Sequence, residues 1–328
     1  MFKGQNLDQR RRSLNKNPSN LNRSILLTGG TGFTGGSLAR RLVASGWVVH
    51  LIIRPGSCVS SLSAEAAGVH RHSWDRTEGG LLQILSGVNP EIVCHVAGLS
   101  KPVCLLGEIE ALMDANVTFG TLLLETMREC GVRRFVNTGT YWQHLRGESG
   151  SVSNLYAASK YAFEKIIDYY AETHFLKALT LNLYDVYGPF DQRTKLINLL
   201  INAAVEGISL NLTQGLQYLH PIHIDDVTLA YERAIAMLLD ESTFQDQNSG
   251  FHQCYSVDSA GWIRVRELVD LLQRITDYKL KVNFGVLPSR GCEILESWEV
   301  KNRLPGWSPK VGLEEGLTEL FQAASKNQ

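Results

Sequence analysis

Thr28-Gly29-Gly30-Thr31-Gly32-Phe33-Thr34-Gly35 is the stretch from which the rest of the chain can be read. It follows a short apolar run, Ser24 to Thr28, and leads into a helix-like stretch from about Phe33 to Ser45. Gly46 is a reasonable stop for that helix, and Val48 to Ile53 reads as a buried strand. Together they form one strand–helix–strand unit. Glycines at 29, 32 and 35 let backbone N–H groups approach a pyrophosphate, where any Cβ would stand in the way. The amino terminus of the helix that follows favours the negative charge. Spaced glycines say little in isolation. After a strand and at the start of a helix, they predict dinucleotide binding by Gly29, Thr31, Gly32, Phe33, Thr34 and Gly35.

Further along, strand-like Ile92 to Val96, Phe135 to Thr138, Leu179 to Leu183 and Cys254 to Val257 alternate with helix-like stretches. Those helices run from about Asp114 to Cys130, Val152 to His174 and Asp226 to Leu238. Such alternation predicts an α/β fold: a Rossmann-type, doubly wound parallel sheet with helices on both faces. Beyond Gly188 the alternation weakens. Segments 188–219 and about 259–328 are expected to be more irregular, forming a smaller, mostly C-terminal substrate lobe over the carboxyl edge of the sheet, where ligands of open α/β sheets bind. The dinucleotide-binding domain is then 24–187 plus about 220–258.

Composition excludes several classes. Net charge is −1, with 44% hydrophobic and 20% charged residues, which argues against a nucleic-acid partner. Residues 1–23 hold a local excess of positive charge, few apolar residues and no secretory-type apolar core. They read as a disordered basic tail. No apolar run is long enough to span a membrane. Six cysteines (58, 94, 104, 130, 254 and 292) are scattered without a C-x-x-C pair, as expected of free thiols in a reducing, cytoplasmic setting; Cys94 and Cys254 lie in strand-like runs and are expected to be buried. His70-x-His72 and His220-x-x-His223 lack a supporting ligand set, so no metal site is expected.

The residue at the end of the second strand reads the adenine ribose. An acid there selects NAD by accepting from the 2′-hydroxyl. This chain has Arg54, whose guanidinium suits a 2′-phosphate, so NADP is expected, with NAD possible. Asp75 is a candidate for the adenine amino group.

Tyr156-Ala-Ala-Ser-Lys160 puts a phenol and an ammonium at i and i+4, on one helix face. Hydride delivered to a carbonyl leaves an alkoxide that needs a proton, and a tyrosine can supply it. A neighbouring ammonium is expected to lower the phenol's pKa. Tyr161–Lys165 has the same spacing about 140° round the helix. The small residues between Tyr156 and Lys160 leave room for a nicotinamide ring. Tyr161 and Lys165 enclose Phe163 and Glu164 and read as packing and surface charge.

With these features the chain resembles the extended short-chain dehydrogenase/reductase family, the NAD-dependent epimerase/dehydratases of sugar nucleotides. The resemblance covers about residues 24–322. Its marks are the glycine turn, His95-Val-Ala-Gly98, Asn116-Val-Thr-Phe-Gly120, Tyr156/Lys160, Tyr187-Gly-Pro189, His223-Ile-Asp-Asp-Val227 and Leu304-Pro-Gly-Trp-Ser-Pro309. It implies that Thr140, in Val136-Asn-Thr-Gly-Thr140, hydrogen-bonds the reacting oxygen, with Thr138 as the fallback. It also implies that Lys160 binds the nicotinamide ribose, and that His95, Ala97 and Asn116 line the cofactor and the central helix. Helices near 114–130 and 152–174 often pair homodimers in this family.

Departures narrow the activity. Family dehydratases follow the threonine with Asp-Glu; here Tyr141-Trp142 stand instead, so 4,6-dehydration is not expected. Thr138 to His144, Asn154 to Lys160 and Asp185 to Lys195 are similar to the CDP-abequose/paratose synthase group, which reduces the 4-keto group of a nucleotide-linked deoxysugar. Thr138, Tyr141, Trp142, Asp185, Arg193, Lys195 and Arg290 are the candidate substrate residues, the cations as partners for a diphosphate. The leading expectation is NADPH-dependent reduction of the 4-keto group of a nucleotide-linked, CDP-type deoxysugar. The alternatives are an NAD-dependent 4-epimerase, a reductase of a non-sugar carbonyl and a non-catalytic dinucleotide-binding regulator.

Overall fold

Ile25, Leu26 and Leu27 have no contact with solvent, because their strand has a neighbour on either side and helices on each face. A computed structural model describes residues 23–57, 68–147, 151–240, 249–289, 291 and 293–326. The basic tail up to residue 22, Arg290, Cys58 and Cys292 lie outside the described residues.

The chain begins with β1 (Ser24–Thr28), α1 (Phe33–Ala44), β2 (Val48–Ile53), β3 (Val69–Ser73), α2 (Glu78–Val88) and β4 (Ile92–His95). It continues through α3 (Ile109–Met113), a π-helical turn (Asp114–Thr118), α4 (Phe119–Cys130), β5 (Arg134–Thr140), α5 (Leu155–His174), β6 (Lys177–Leu183) and β7 (Asp185–Tyr187). Then come α6 (Leu196–Glu206), β8 (Ser209–Asn211), β9 (Tyr218–Leu219), β10 (Pro221–His223), α7 (Ile224–Leu239) and β11 (Phe251–Val257). The last elements are β12 (Ile263–Arg264), α8 (Val265–Ile275), β13 (Lys281–Asn283) and α9 (Leu313–Lys326).

Seven strands form one parallel sheet in the order β11-β6-β5-β4-β1-β2-β3. Alternation along each strand sends neighbouring side chains to opposite faces. Ile25 and Leu27 join Leu38, Leu42, Val227 and Tyr231 from α1 and α7. Leu26 joins Leu81, Leu85, Leu123, Phe163 and Ile167 from α2, α4 and α5. This is the doubly wound Rossmann-type arrangement. The remaining strands pair in twos: β7 with β10, β8 with β13, and β9 with β12.

Three expectations need correction. The segments expected to be irregular contain α6, α8 and α9, which share a core of Leu200, Leu268, Leu272 and Leu317. Their apolar stripes find one another only in three dimensions, and flanking prolines and short strands mask the helical period. Second, β3 and α2 were not anticipated: His70 and His72 dilute the apolar signal of β3, and Gly79 and Gly80 that of α2. Third, Cys254 is only partly buried, because β11 is an edge strand. Cys94, on the interior strand β4, is fully buried, and burial pushes its thiol up to about 12. Among the described residues, no helix is long and apolar enough to cross a membrane.

Asp226, in the first turn of α7, ties the C-terminal segment to the sheet. Its carboxylate accepts from the backbone N–H of Lys310 (2.8 Å) and Val311 (3.0 Å), and its carbonyl accepts from Trp307 Nε1 (3.1 Å). With Asp226→Ala, two amides lose a charged acceptor at a site 1% exposed. Each unpaired buried group costs about 1–3 kcal/mol, so denaturant titration should show a loss of roughly 3 kcal/mol.

Candidate functional site

Loops from the carboxyl ends of β1, β2, β4 and β5 gather at one edge of the sheet, with α5 alongside. The glycine turn is built as tightly as its sequence requires. Gly29 has φ +74°, and a Cβ there would lie 2.6 Å from Ala97 N. A Cβ on Gly35 would lie 2.2 Å from Gly29 O. Gly32 opens α1 without a side-chain cap, and no acidic residue lies in the first turn. The turn therefore keeps its N–H groups clear of side chains, which fits a pyrophosphate. Thr28 braces the turn from below: its Oγ1 accepts from Ala97 N (3.2 Å) and is hydrogen-bonded to His95 Nδ1 (2.8 Å).

His95 itself is fully buried, packed by Phe119, Phe135 and Phe163. Its side chain presents no surface to a ligand and instead supports the turn. Burial first, and then the Lys160 charge, lower its pKa to about 3, so the ring is neutral. Arg54 is exposed just beyond β2. Asp75 is exposed, and its Oδ1 accepts from Thr77 N (2.9 Å) and Thr77 Oγ1 (2.7 Å) at the start of α2.

Asn116, in the π-helical turn, holds the loop after β4 against α5. Its Oδ1 accepts from Leu99 N (2.7 Å), and its Nδ2 donates to Leu99 O and to Ser159 Oγ (both 3.0 Å). Ser159 Oγ in turn donates to Tyr156 O (2.7 Å). The expected helix from Asp114 is thus interrupted at its start, and the wider turn aims Asn116 inward.

At the end of β5 the two threonines divide the work. Thr138 Oγ1 donates to His95 O (2.9 Å) and meets the buried Tyr231 hydroxyl, so its hydroxyl is committed to the framework. Thr140, two residues on and at the strand's end, faces the Tyr156 phenol. Ser100, from the loop held by Asn116, also faces the phenol. Trp142 lies edge-on to the Tyr156 ring at 6.4 Å. Asn154 caps α5 by accepting from Ala157 N (2.9 Å), which sets the helix start at Leu155 rather than Val152.

The phenol's electrostatics differ from expectation. Burial raises the Tyr156 pKa; hydrogen bonds from Ser100 and Thr140, and the charge of Arg193, oppose the rise. The expected lowering by Lys160 is absent from these causes. Lys160 is itself buried, at 3% exposure, which pushes its pKa down to about 8 against the opposing charge of Glu164. Tyr161 and Lys165 behave as packing and surface charge: the Lys165 ammonium lies 5.1 Å from the Tyr161 ring and 2.9 Å from Asp168.

Toward the second lobe, Tyr141 is 4% exposed and stacks on Tyr184 at 4.4 Å. Its hydroxyl donates to Asp185 Oδ2 (3.2 Å), which also accepts from His220 N (2.8 Å). Burial raises the Asp185 pKa. Tyr141 and Asp185 therefore brace a wall rather than project from it. Arg193 reaches back across the crevice. Its guanidinium lies 4.7 Å from the Phe33 ring, pairs with Asp191 (2.7 Å) and donates to Val186 O (2.9 Å). Lys195 is exposed where α6 begins. Sequence reasoning missed Ser100 and the pair Gln143 and Glu164. Glu164 alone left a signal, its spacing of four from Lys160.

The sequence matches the NAD dependent epimerase/dehydratase family over residues 25–247. The chain belongs to that family. Among curated relatives, the CDP-abequose synthase of Yersinia pseudotuberculosis is 27% identical over 80% of this chain and 87% of its own length. Among solved structures, the UDP-glucose 4-epimerase of Thermotoga maritima, with UDP-glucose, superposes with a TM-score of 0.80 at 23% identity, covering 93% of this chain and 99% of that one. The UDP-glucuronic acid 4-epimerase of Bacillus cereus, in complex with UDP-glucuronic acid and NAD, gives 0.79 at 19% identity, covering 93% and 100%. At these identities the two structural likenesses establish the Rossmann fold of this family member.

Proposed function

We propose that this family member reduces the 4-keto group of a nucleotide-linked, CDP-type deoxysugar at the expense of NADPH. The observation that carries the reading is the apposition of the Tyr156 phenol and Thr140 at the carboxyl end of β5, within the loops that also form the glycine turn. A bound nicotinamide cofactor supplies the hydride. Thr140 and Tyr156 hold the carbonyl oxygen, and Tyr156 delivers the proton to it. Burial keeps the phenol protonated at neutral pH, which suits a proton donor. Lys160, charged below about 8 and one helical turn from Tyr156, is the proposed contact of the nicotinamide ribose. Gly29, Thr31, Gly32, Phe33, Thr34 and Gly35 receive the pyrophosphate, with Ala97 and Asn116 shaping the far wall. Arg193 and Lys195 are the proposed partners of a substrate diphosphate.

Two further features favour reduction at C4. Tyr141 and Trp142 occupy the positions after Thr140, so no acid–base carboxylate pair stands there for water loss. A relative named CDP-abequose synthase aligns over most of both chains.

The test is to incubate purified protein with CDP-, UDP- and dTDP-linked 4-keto-6-deoxy sugars. NADPH oxidation and C4 stereochemistry are then followed. Net NADPH consumption with a CDP-linked ketone is the expected result. Interconversion of C4 epimers without net cofactor consumption identifies a 4-epimerase instead. Arg54 is the proposed 2′-phosphate contact, since its cation stands where an acid would accept from a free ribose hydroxyl. A hydrogen bond to a charged group contributes about 1.5–3 kcal/mol, so Arg54→Ala should raise the KM for NADPH roughly ten- to hundredfold and leave that for NADH nearly unchanged.

A further inference from the structure

Glu164 lies one helical turn beyond Lys160 on α5 and is 4% exposed. A buried carboxylate is costly unless it is held by several partners, and here the partners belong to the site. Gln143 Nε2 donates to Glu164 Oε2 (2.9 Å), and the same amide's Oε1 accepts from the backbone N–H of Thr140 (2.7 Å). His144 Nε2 lies 3.1 Å from Glu164 Oε2, and its side chain is 19% exposed, so it reaches the surface. Gln143 and His144 lie three and four residues after Thr140, at the end of the short turn after β5. One carboxylate thus meets both the strand end that carries Thr140 and the helix face that carries Lys160.

We propose that Glu164 is a positioning residue for this site: through Gln143 it fixes the Thr140 end of β5 against α5, and it places a negative charge beside the buried Lys160 ammonium. The proposal rests on the hydride-transfer reading above and deepens it. Glu164 touches no reacting atom; it acts through Thr140 and Lys160. The titratable groups facing it are Lys160 and Lys165 on α5, His144 from the turn and Cys254 on β11. His95, on β4, faces Lys160 and is kept neutral. Removing the Glu164 charge takes away a charge that opposes the burial penalty on Lys160. The ammonium then loses its proton at a lower pH, and its proposed hold on the cofactor ribose fails earlier on the alkaline side.

The experiment titrates Lys160 in full-length protein by NMR of ε-carbon-labelled lysine, assigned with Lys160→Met. It is paired with the pH dependence of kcat for the best ketone in the panel. Glu164→Gln keeps the shape and an oxygen acceptor for Gln143 and His144, and removes only the charge. It should lower the Lys160 midpoint by about one pH unit and shift the alkaline limb of kcat equally, with KM less affected. Glu164→Asp should restore the midpoint. Gln143→Met should reduce kcat about tenfold, by freeing the Thr140 strand end, and leave the midpoint unmoved. An unmoved Lys160 midpoint in Glu164→Gln overturns the electrostatic arm, and full kcat in Gln143→Met overturns the positioning arm. If Glu164→Gln does not fold, the electrostatic arm is read from Glu164→Asp, where a Lys160 midpoint lowered as far as a neutral side chain predicts overturns it. Wild-type protein without turnover on any ketone sinks the hydride-transfer reading, yet the Lys160 titration still tests Glu164.

Discussion

Tyr156→Phe should lower turnover by about 10²–10⁴-fold, the usual contribution of a positioned proton donor, while dinucleotide affinity stays within a factor of about two. The variant removes one hydroxyl and keeps the ring that packs edge-on to Trp142. Thr140 and Ser100 lose the polar group they face, but both lie at the crevice, where substrate or water can replace it. The fold should therefore persist, with an unchanged unfolding midpoint. Steady-state NADPH oxidation and cofactor titration by fluorescence separate the two quantities. A variant that retains more than a tenth of the wild-type kcat would remove Tyr156 from the chemistry. If biological activity also survived, the chain would act as a dinucleotide-binding regulator.

The second large effect is expected from Gly35→Ala. The added Cβ meets Gly29 O at 2.2 Å and Gly29 C at 2.6 Å, and both are backbone atoms that no rotamer change can move. The turn must open or the start of α1 must retreat, and either displaces the N–H groups proposed to hold the pyrophosphate. Overpacking of this kind costs about 1–3 kcal/mol. If most of that cost falls on the binding conformation, dinucleotide Kd should rise roughly ten- to hundredfold. Gly79→Ala is the control. It lies in α2 with nothing within 4 Å of the added Cβ, and should leave cofactor affinity unchanged and add a few tenths of a kcal/mol to stability. Equal Kd values for the two variants would show that close approach at Gly35 is not what the dinucleotide needs.

The strongest readings from sequence were local ones. The glycine turn was legible because its requirement is steric: a residue without a Cβ is needed wherever backbone meets backbone, and Gly29 and Gly35 are such places. The i, i+4 spacing of Tyr156 and Lys160 was legible because helix geometry puts those residues on one face whatever the rest of the fold does. Strand–helix alternation likewise announced the parallel sheet, and strands β1, β2, β4, β5, β6 and β11 lie where apolar runs indicated.

Contacts between distant segments had no such local signature. Thr138 and Thr140 are alike in sequence, and only the approach of Tyr231 from α7 commits one hydroxyl to the framework and leaves the other to Tyr156. Lys160 was expected to depress the phenol's pKa, but the depth of burial, which depends on every segment packed above α5, reverses the direction. Glu164 had no assigned role in the sequence, and only the tertiary structure brings Gln143 and His144 over it. Steric demands and helical periods act between neighbours in the chain and are therefore written in the order of residues. Desolvation and hydrogen-bond partnership depend on what packs across the sheet, and these arise only when β5, α5 and α7 come together.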